Sequence, residues 1–168
     1  MLHVALNAQA VNAVLTAWLK ESPGLGVMAL VPEAEKANLP QLQQVCRNLG
    51  IPLAGGIFPA LVYRGDFKSD GVWLIRFKQQ LPAVLLPDLK QTASVAAEKI
   101  ANAALSMLDA APSADSRPTL FLLFDGMLPN IGSMLEDLYA RLADRVRYAG
   151  VNAGSETFQP MPCLFNQN

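Results

Sequence analysis

The stretch Leu25 to Ala54, LGVMALVPEAEKANLPQLQQVCRNLGIPLA, decides the fold class. It opens with an apolar run, Leu25 to Val31, ended by Pro32, whose missing N–H cannot continue a strand ladder. Asn38 then stands where a helix N-cap belongs, with Pro40 in the first turn. Leu39, Leu42, Val45, Cys46 and Leu49 recur at helical spacing and form one apolar face. Gly50 sits where a left-handed residue closes a helix, and Ile51 to Ala54 is apolar again. The order strand, helix, strand is a βαβ unit, and the handedness of such crossovers makes its two strands parallel.

A second unit of the same order follows later. Thr119 to Phe124 is an apolar strand, Asp125-Gly126 turns out of it, and Asn130 stands at the next cap. Ile131, Met134, Leu135, Leu138, Tyr139 and Leu142 make a buried helical face, and Arg147 to Val151 returns as a strand. Each unit ends in small residues, Leu53-Ala54-Gly55-Gly56 and Tyr148-Ala149-Gly150-Val151-Asn152-Ala153-Gly154-Ser155. The match reads as an internal duplication. Around these units, Ala8 to Lys20 and Thr92 to Leu108 read as helices. Ile57 to Arg64 and Gly71 to Phe77 read as strands joined by the turn Gly65 to Asp70, Leu81 to Leu86 as a short strand, and Ala111 to Pro118 as a loop. The fold class is therefore α/β, a mixed sheet with two βαβ-like units flanked by helices.

Composition narrows the function. In 168 residues the apolar share is 52% and the charged share 16%, which excludes a disordered chain. So few charges point to surface covered by another domain or subunit, a homo-oligomer included. A net charge of −1 without Lys/Arg runs argues against nucleic acid and anionic membranes as partners. His3 is the one histidine, and Cys46 and Cys163 lie far apart without a CxxC, so neither a zinc site nor a histidine-based triad assembles. No cofactor is expected. Two lone cysteines suit a reducing compartment, and Met1 to Asn12 lacks a leader's basic and apolar regions. Glu98 and Lys99 at the centre of the Ala-rich helix argue against a membrane span, so the expected location is cytoplasmic.

The small-residue patches have two readings. Without a Walker lysine or a GxGxxG they are not phosphate loops. They either serve close packing where a strand bends, or let a ligand approach exposed backbone N–H groups. Because Ala54 to Gly56, Phe124 to Gly126 and Val151 to Ser155 each follow the end of an expected buried strand, they would gather on one sheet edge, where ligands bind in open α/β folds. The candidate ligand-binding residues are Gly55, Gly56, Asp125, Gly126, Asn152, Gly154, Ser155 and Glu156, with Asp125 and Glu156 as the available acids. No catalytic set stands out: Cys46 lies on an apolar face, Ser133 has no nucleophile elbow, and Cys163 has no clear base.

Two segments resemble the N-terminal FIST domain (F-box and intracellular signal transduction). They are Ile51-Pro52-Leu53-Ala54-Gly55-Gly56-Ile57-Phe58-Pro59 with Asp70-Gly71-Val72-Trp73-Leu74, and Leu120 to Gly126 with Tyr148 to Ser155. Val151 and Asn152 vary the glycine-rich pattern of that family. The resemblance implies a sensory module that binds small ligands, amino acids or related metabolites, upstream of a C-terminal FIST domain or another signalling output domain. It brings no catalytic residues. The expectation is one FIST N-terminal-like domain over 1–168, incomplete at its C-terminus, since Phe158 to Asn168 is all that follows the second patch. Its last residues are then expected at an open sheet edge or an inter-chain contact. The competing readings are a small hydrolase or transferase using Asp125, Glu156 or Cys163, and a protein-interaction module with an exposed apolar face.

Overall fold

The computed structural model describes residues 1–80, 82–87, 89, 91–110 and 117–168. In chain order the first elements are β1 (Leu2–Val4), α1 (Ala8–Glu21), β2 (Gly26–Pro32), α2 (Leu39–Leu49), β3 (Leu53–Phe58), β4 (Leu61–Tyr63), β5 (Asp66–Lys68) and β6 (Val72–Phe77). They continue with α3 (Ala93–Ala110), β7 (Thr119–Asp125), α4 (Ile131–Leu142), β8 (Arg147–Ala153) and β9 (Leu164–Asn166). The chain is α/β and forms two compact units, one of Met1–Ala83 with Ala153–Asn168, the other of Val84–Asn152.

The first unit is a five-stranded mixed sheet in the order β1-β6-β2-β3-β9. β2 and β3 run parallel, as the βαβ reading requires, and the three other pairings are antiparallel. The core gathers Val11, Leu15 and Trp18 of α1 with Leu42, Val45 and Cys46 of α2 and the inward residues of the central strands. Asn7 caps α1 by accepting from the Ala10 N–H at 2.9 Å, a cap the sequence reading passed over. Gly50 closes α2 at φ +65, as expected. Asn38 does not cap α2. A 3-10 turn, Glu33–Asn38, leads into the helix, so Asn38 already has helical backbone angles and its amide donates to Glu35 at 2.6 Å instead.

Two strand boundaries differ from expectation. β3 begins at Leu53 and runs straight through Gly55-Gly56, while Ile51 and Pro52 stay outside it. The strand expected over Ile57 to Arg64 breaks at Pro59-Ala60. Its second half forms the hairpin β4–β5, closed by Arg64 and Gly65 at φ +54 and +88. Two successive left-handed residues make the tight turn whose twist matches paired strands, so the chain reverses earlier than the predicted turn.

In the second unit α3 packs on α4 through Ala96, Ala97, Ala101 and Ala104, small side chains that let two helices approach closely, with Ile100 filling the core beside them. Leu120, Leu122 and Phe124 of β7 face this pair. The Arg147 N–H donates to the Pro118 carbonyl at 2.8 Å, and Gly150 lies against the Leu122 carbonyl. The two contacts advance together along both chains, as in a parallel β7–β8 pair. Residues 82–86 form no strand. Leu81 and residues 111–116 of the expected loop lie outside the described residues. The apolar face of α4 is wider than its cover: Met134, Leu138 and Leu142 are buried, but Leu135 and Tyr139 are 38% and 59% exposed. Among the described residues no helix is long and apolar enough to cross a membrane.

Candidate functional site

The expected site residues divide between the two units. In the first unit Gly55 sits in mid-strand, paired with Ala29 on one side and Phe165 on the other. A Cβ there would lie 2.2 Å from the Ala29 carbonyl oxygen and 2.4 Å from the Phe165 ring, so the missing side chain is replaced by the phenyl group of β9. A Cβ on Gly56 would press on Ala153 and Phe58 at 3.2 and 3.3 Å. The chain's own atoms thus occupy the space above both glycines. The geometric premise of the edge argument therefore fails for this pair, which lies inside β3 and not beyond its end.

Gly154 and Ser155 do lie past a strand end. Gly154, at φ +148, donates its N–H to the Ile57 carbonyl at 2.8 Å and pins the chain leaving β8 to the edge of β3. The Ser155 hydroxyl then donates to the Glu33 carboxylate at 2.8 and 2.9 Å, and the Glu156 N–H donates to it at 3.0 Å. With its proton given to Glu33, the Ser155 oxygen accepts from the Thr157 N–H at 3.1 Å and from the Thr157 hydroxyl at 2.9 Å. The Glu156 N–H and Ser155 hydroxyl hold the Glu33 carboxyl below its ordinary value, with a smaller contribution from Lys36 at 3.8 Å. Ser155 is the buried polar side chain here, and all its hydrogen-bonding capacity is used in fastening one turn to the start of the 3-10 turn. Glu33 was missed by the sequence reading. Its signal was its place directly after Pro32, at the C-terminal end of a parallel strand.

In the second unit Asp125 ends β7 and accepts the Met127 N–H at 2.9 Å, an Asx turn, with exposed Gly126 beside it. Asn152, near the end of β8, is exposed, and its side-chain amide has no hydrogen-bond partner among the described residues. It borders a groove of about 460 Å³ lined by Leu122, Phe124, Ile131, Leu135, Tyr148 and the 149–152 stretch. Gly150 packs close against Leu122 on one wall of this groove, and the half-exposed Leu135 of α4 lines the other. The Tyr148 hydroxyl donates to the Ala143 carbonyl at 3.0 Å, and burial, then the neighbouring Tyr139, push its ionisation upward, so the phenol stays neutral. Of the expected residues Asn152 lines this groove; Asp125 and Gly126 are not among its lining residues.

Residues 25–168, which hold both strand–helix–strand units, match a known family model, the FIST N domain. The chain belongs to the FIST N domain family. This is a sensory domain family of signal-transduction proteins. No curated protein and no solved structure matches the chain. In this FIST N domain the Gly154 N–H, the Ser155 hydroxyl and the Glu156 N–H are engaged by the fold itself in the first unit, whereas the second unit keeps an open groove with one amide at its border that has no partner among the described residues.

Proposed function

We propose that this FIST N domain is the small-ligand-sensing part of a cytoplasmic signalling protein and that the groove between α4 and β8 is its ligand site. The observation that carries the reading is the groove itself: about 460 Å³ beside the C-terminal ends of two parallel strands, within the range of small-molecule pockets. Asn152 and the backbone of β8 supply its polar contacts, and Asp125-Gly126, at the end of β7, is the neighbouring turn. Gly55, Gly56, Gly154, Ser155 and the Glu156 N–H serve the frame, as their packing and hydrogen bonds support. Amino acids and related metabolites are the ligand class that the family suggests, and a C-terminal FIST domain or another output domain would receive the signal. An enzymatic role gains no support from the geometry. The Asp125 carboxylate caps a turn, Cys163 is 2% exposed, and Glu33, held by donors and lowered in basicity, is a poor general base for nearly buried Ser155.

Thermal-shift screening against amino acids and related metabolites tests the reading, because a ligand of the folded state raises the midpoint. The expected result is a hit whose shift disappears in Leu135→Asp and shrinks in Asn152→Ala. A hit equally strong in both variants would place the site elsewhere.

A further inference from the structure

We infer that the groove of the second unit takes an uncharged ligand, with an apolar body and one amide-like edge, in place of a free zwitterion. The inference rests on the groove being the sensor's ligand site and adds the chemistry of what fills it. Three observations converge on it.

The first is the character of the walls. Leu122, Phe124, Ile131, Leu135, Tyr148 and Val151 are apolar or neutral, and no Asp, Glu, Lys or Arg is among the described lining residues. The second is that Asp125, Glu98 and Arg141 of this unit already have partners within the fold. The Asp125 carboxylate is taken by the Met127 N–H. Arg141 pairs with Glu98 at 3.9 Å and donates to the Ser94 hydroxyl at 3.2 Å. An ammonium or carboxylate taken into the groove would lose hydration without gaining a counter-charge, which strongly disfavours its burial. An apolar body, by contrast, gains by leaving water against Leu135 and Val151, which are 38% and 43% exposed without it.

The third is the polar equipment. The Asn152 amide offers two donors and an acceptor and has no hydrogen-bond partner among the described residues. Residues 149–152 of β8 are exposed, and among the described residues β8 pairs with β7 alone. Its outward backbone N–H and C=O groups and the Asn152 amide therefore present paired donors and acceptors, the complement of an amide. A neutral amide fits this set, whereas a carboxylate meets acceptors as well as donors.

Isothermal calorimetry and NMR shift mapping with N-acetyl-leucinamide, leucine as the zwitterionic comparator, test the inference on wild type, Asn152→Ala and Leu135→Asp. Retention of fold in the variants is checked by circular dichroism. The expected result is that the neutral amide binds at least about tenfold more tightly than leucine, loses about tenfold in Asn152→Ala, and fails to bind Leu135→Asp. Leucine binding as well as the amide, with the same sensitivity to both variants, would overturn the ligand class and leave the groove as the site. Binding of the amide unaffected by either variant would overturn both. No binding of the amide up to roughly 10 mM, weaker than a Kd that even a poor fit should reach, would overturn the inference. So would light scattering that shows a dimer dissolved by Leu135→Asp, since the groove would then be covered by a second copy.

Discussion

Replacing Gly55 with alanine sets two opposite effects against each other. In a strand, glycine costs about 0.5–1 kcal/mol relative to alanine through backbone entropy, so propensity alone predicts a more stable protein. The geometry predicts the reverse. The new methyl would lie 2.2 Å from the Ala29 carbonyl oxygen and 2.4 Å from the Phe165 ring, well inside ordinary contact. The oxygen belongs to the paired strand β2, so yielding means widening a central pairing of the sheet. The ring belongs to a side chain only 7% exposed, so it can yield only by displacing its neighbours in the core. Overpacking of this kind costs about 1–3 kcal/mol, and occasionally more. With a backbone atom as one obstacle the upper end applies, leaving a net loss of about 2 kcal/mol after the propensity gain. For a chain of this size that lowers the melting midpoint by about 4–8 °C. Circular dichroism melts measure it, and hydrogen exchange should show faster opening at β2 and β3. Gly132→Ala is the matched control: that glycine is exposed on α4, a Cβ there meets nothing within 4 Å, and the midpoint should rise, by about 0.5–1 kcal/mol of stability. If Gly55→Ala melted within about 1 °C of wild type while Gly132→Ala behaved as expected, the packing account of the β3 glycines would be refuted.

Other outcomes follow from single observations. Because the Glu33 carboxyl is lowered from its ordinary 4.5 by donors made on folding, its contribution to stability is full above that value and is lost as pH falls below it, through the lower folded value. Urea unfolding should therefore show a steeper acid loss in wild type than in Glu33→Gln, and identical slopes would remove Glu33 as the anchor of the 154–157 turn. Burial raises the Cys46 thiol to about 12, so it should resist iodoacetamide in native protein at pH 8 and react once urea unfolds the chain. Asn7→Ala should cost about 1 kcal/mol by uncapping α1, seen as a lower urea midpoint with unchanged slope; a neutral result would mean the cap is replaced by water without loss.

The fold was legible wherever local chemistry has one outcome. The apolar run ended by Pro32, the face of α2 and the closing Gly50 specify strand, helix and stop from neighbours in sequence, and parallel pairing follows from the connection between them. The turn at Asp125-Gly126 and the helix after Asn130 were legible for the same reason, although Asn130 stands there in the left-handed region at φ +59 and its side chain does not cap the helix. The family match covers these segments, since it runs over residues 25–168. The short outer strands β1 and β9 were not legible, because three residues carry no periodicity and are strands only through their partners β6 and β3.

The site divides along the same line. Sequence shows that Gly55-Gly56 lack side chains but not what fills the space; Phe165, more than a hundred positions away, decides that they serve packing. It shows Ser155 as polar, but Glu33 decides that its hydroxyl is spent. Helical periodicity puts Leu135 and Tyr139 on the apolar face of α4, and only the tertiary arrangement, with nothing among the described residues covering that side, turns part of the face into a groove bordered by Asn152. Residue type and spacing set which groups a chain can offer. Which of them remain free is a property of contacts distant in sequence, since hydrogen-bonding capacity and surface already used within the fold are no longer open to a ligand.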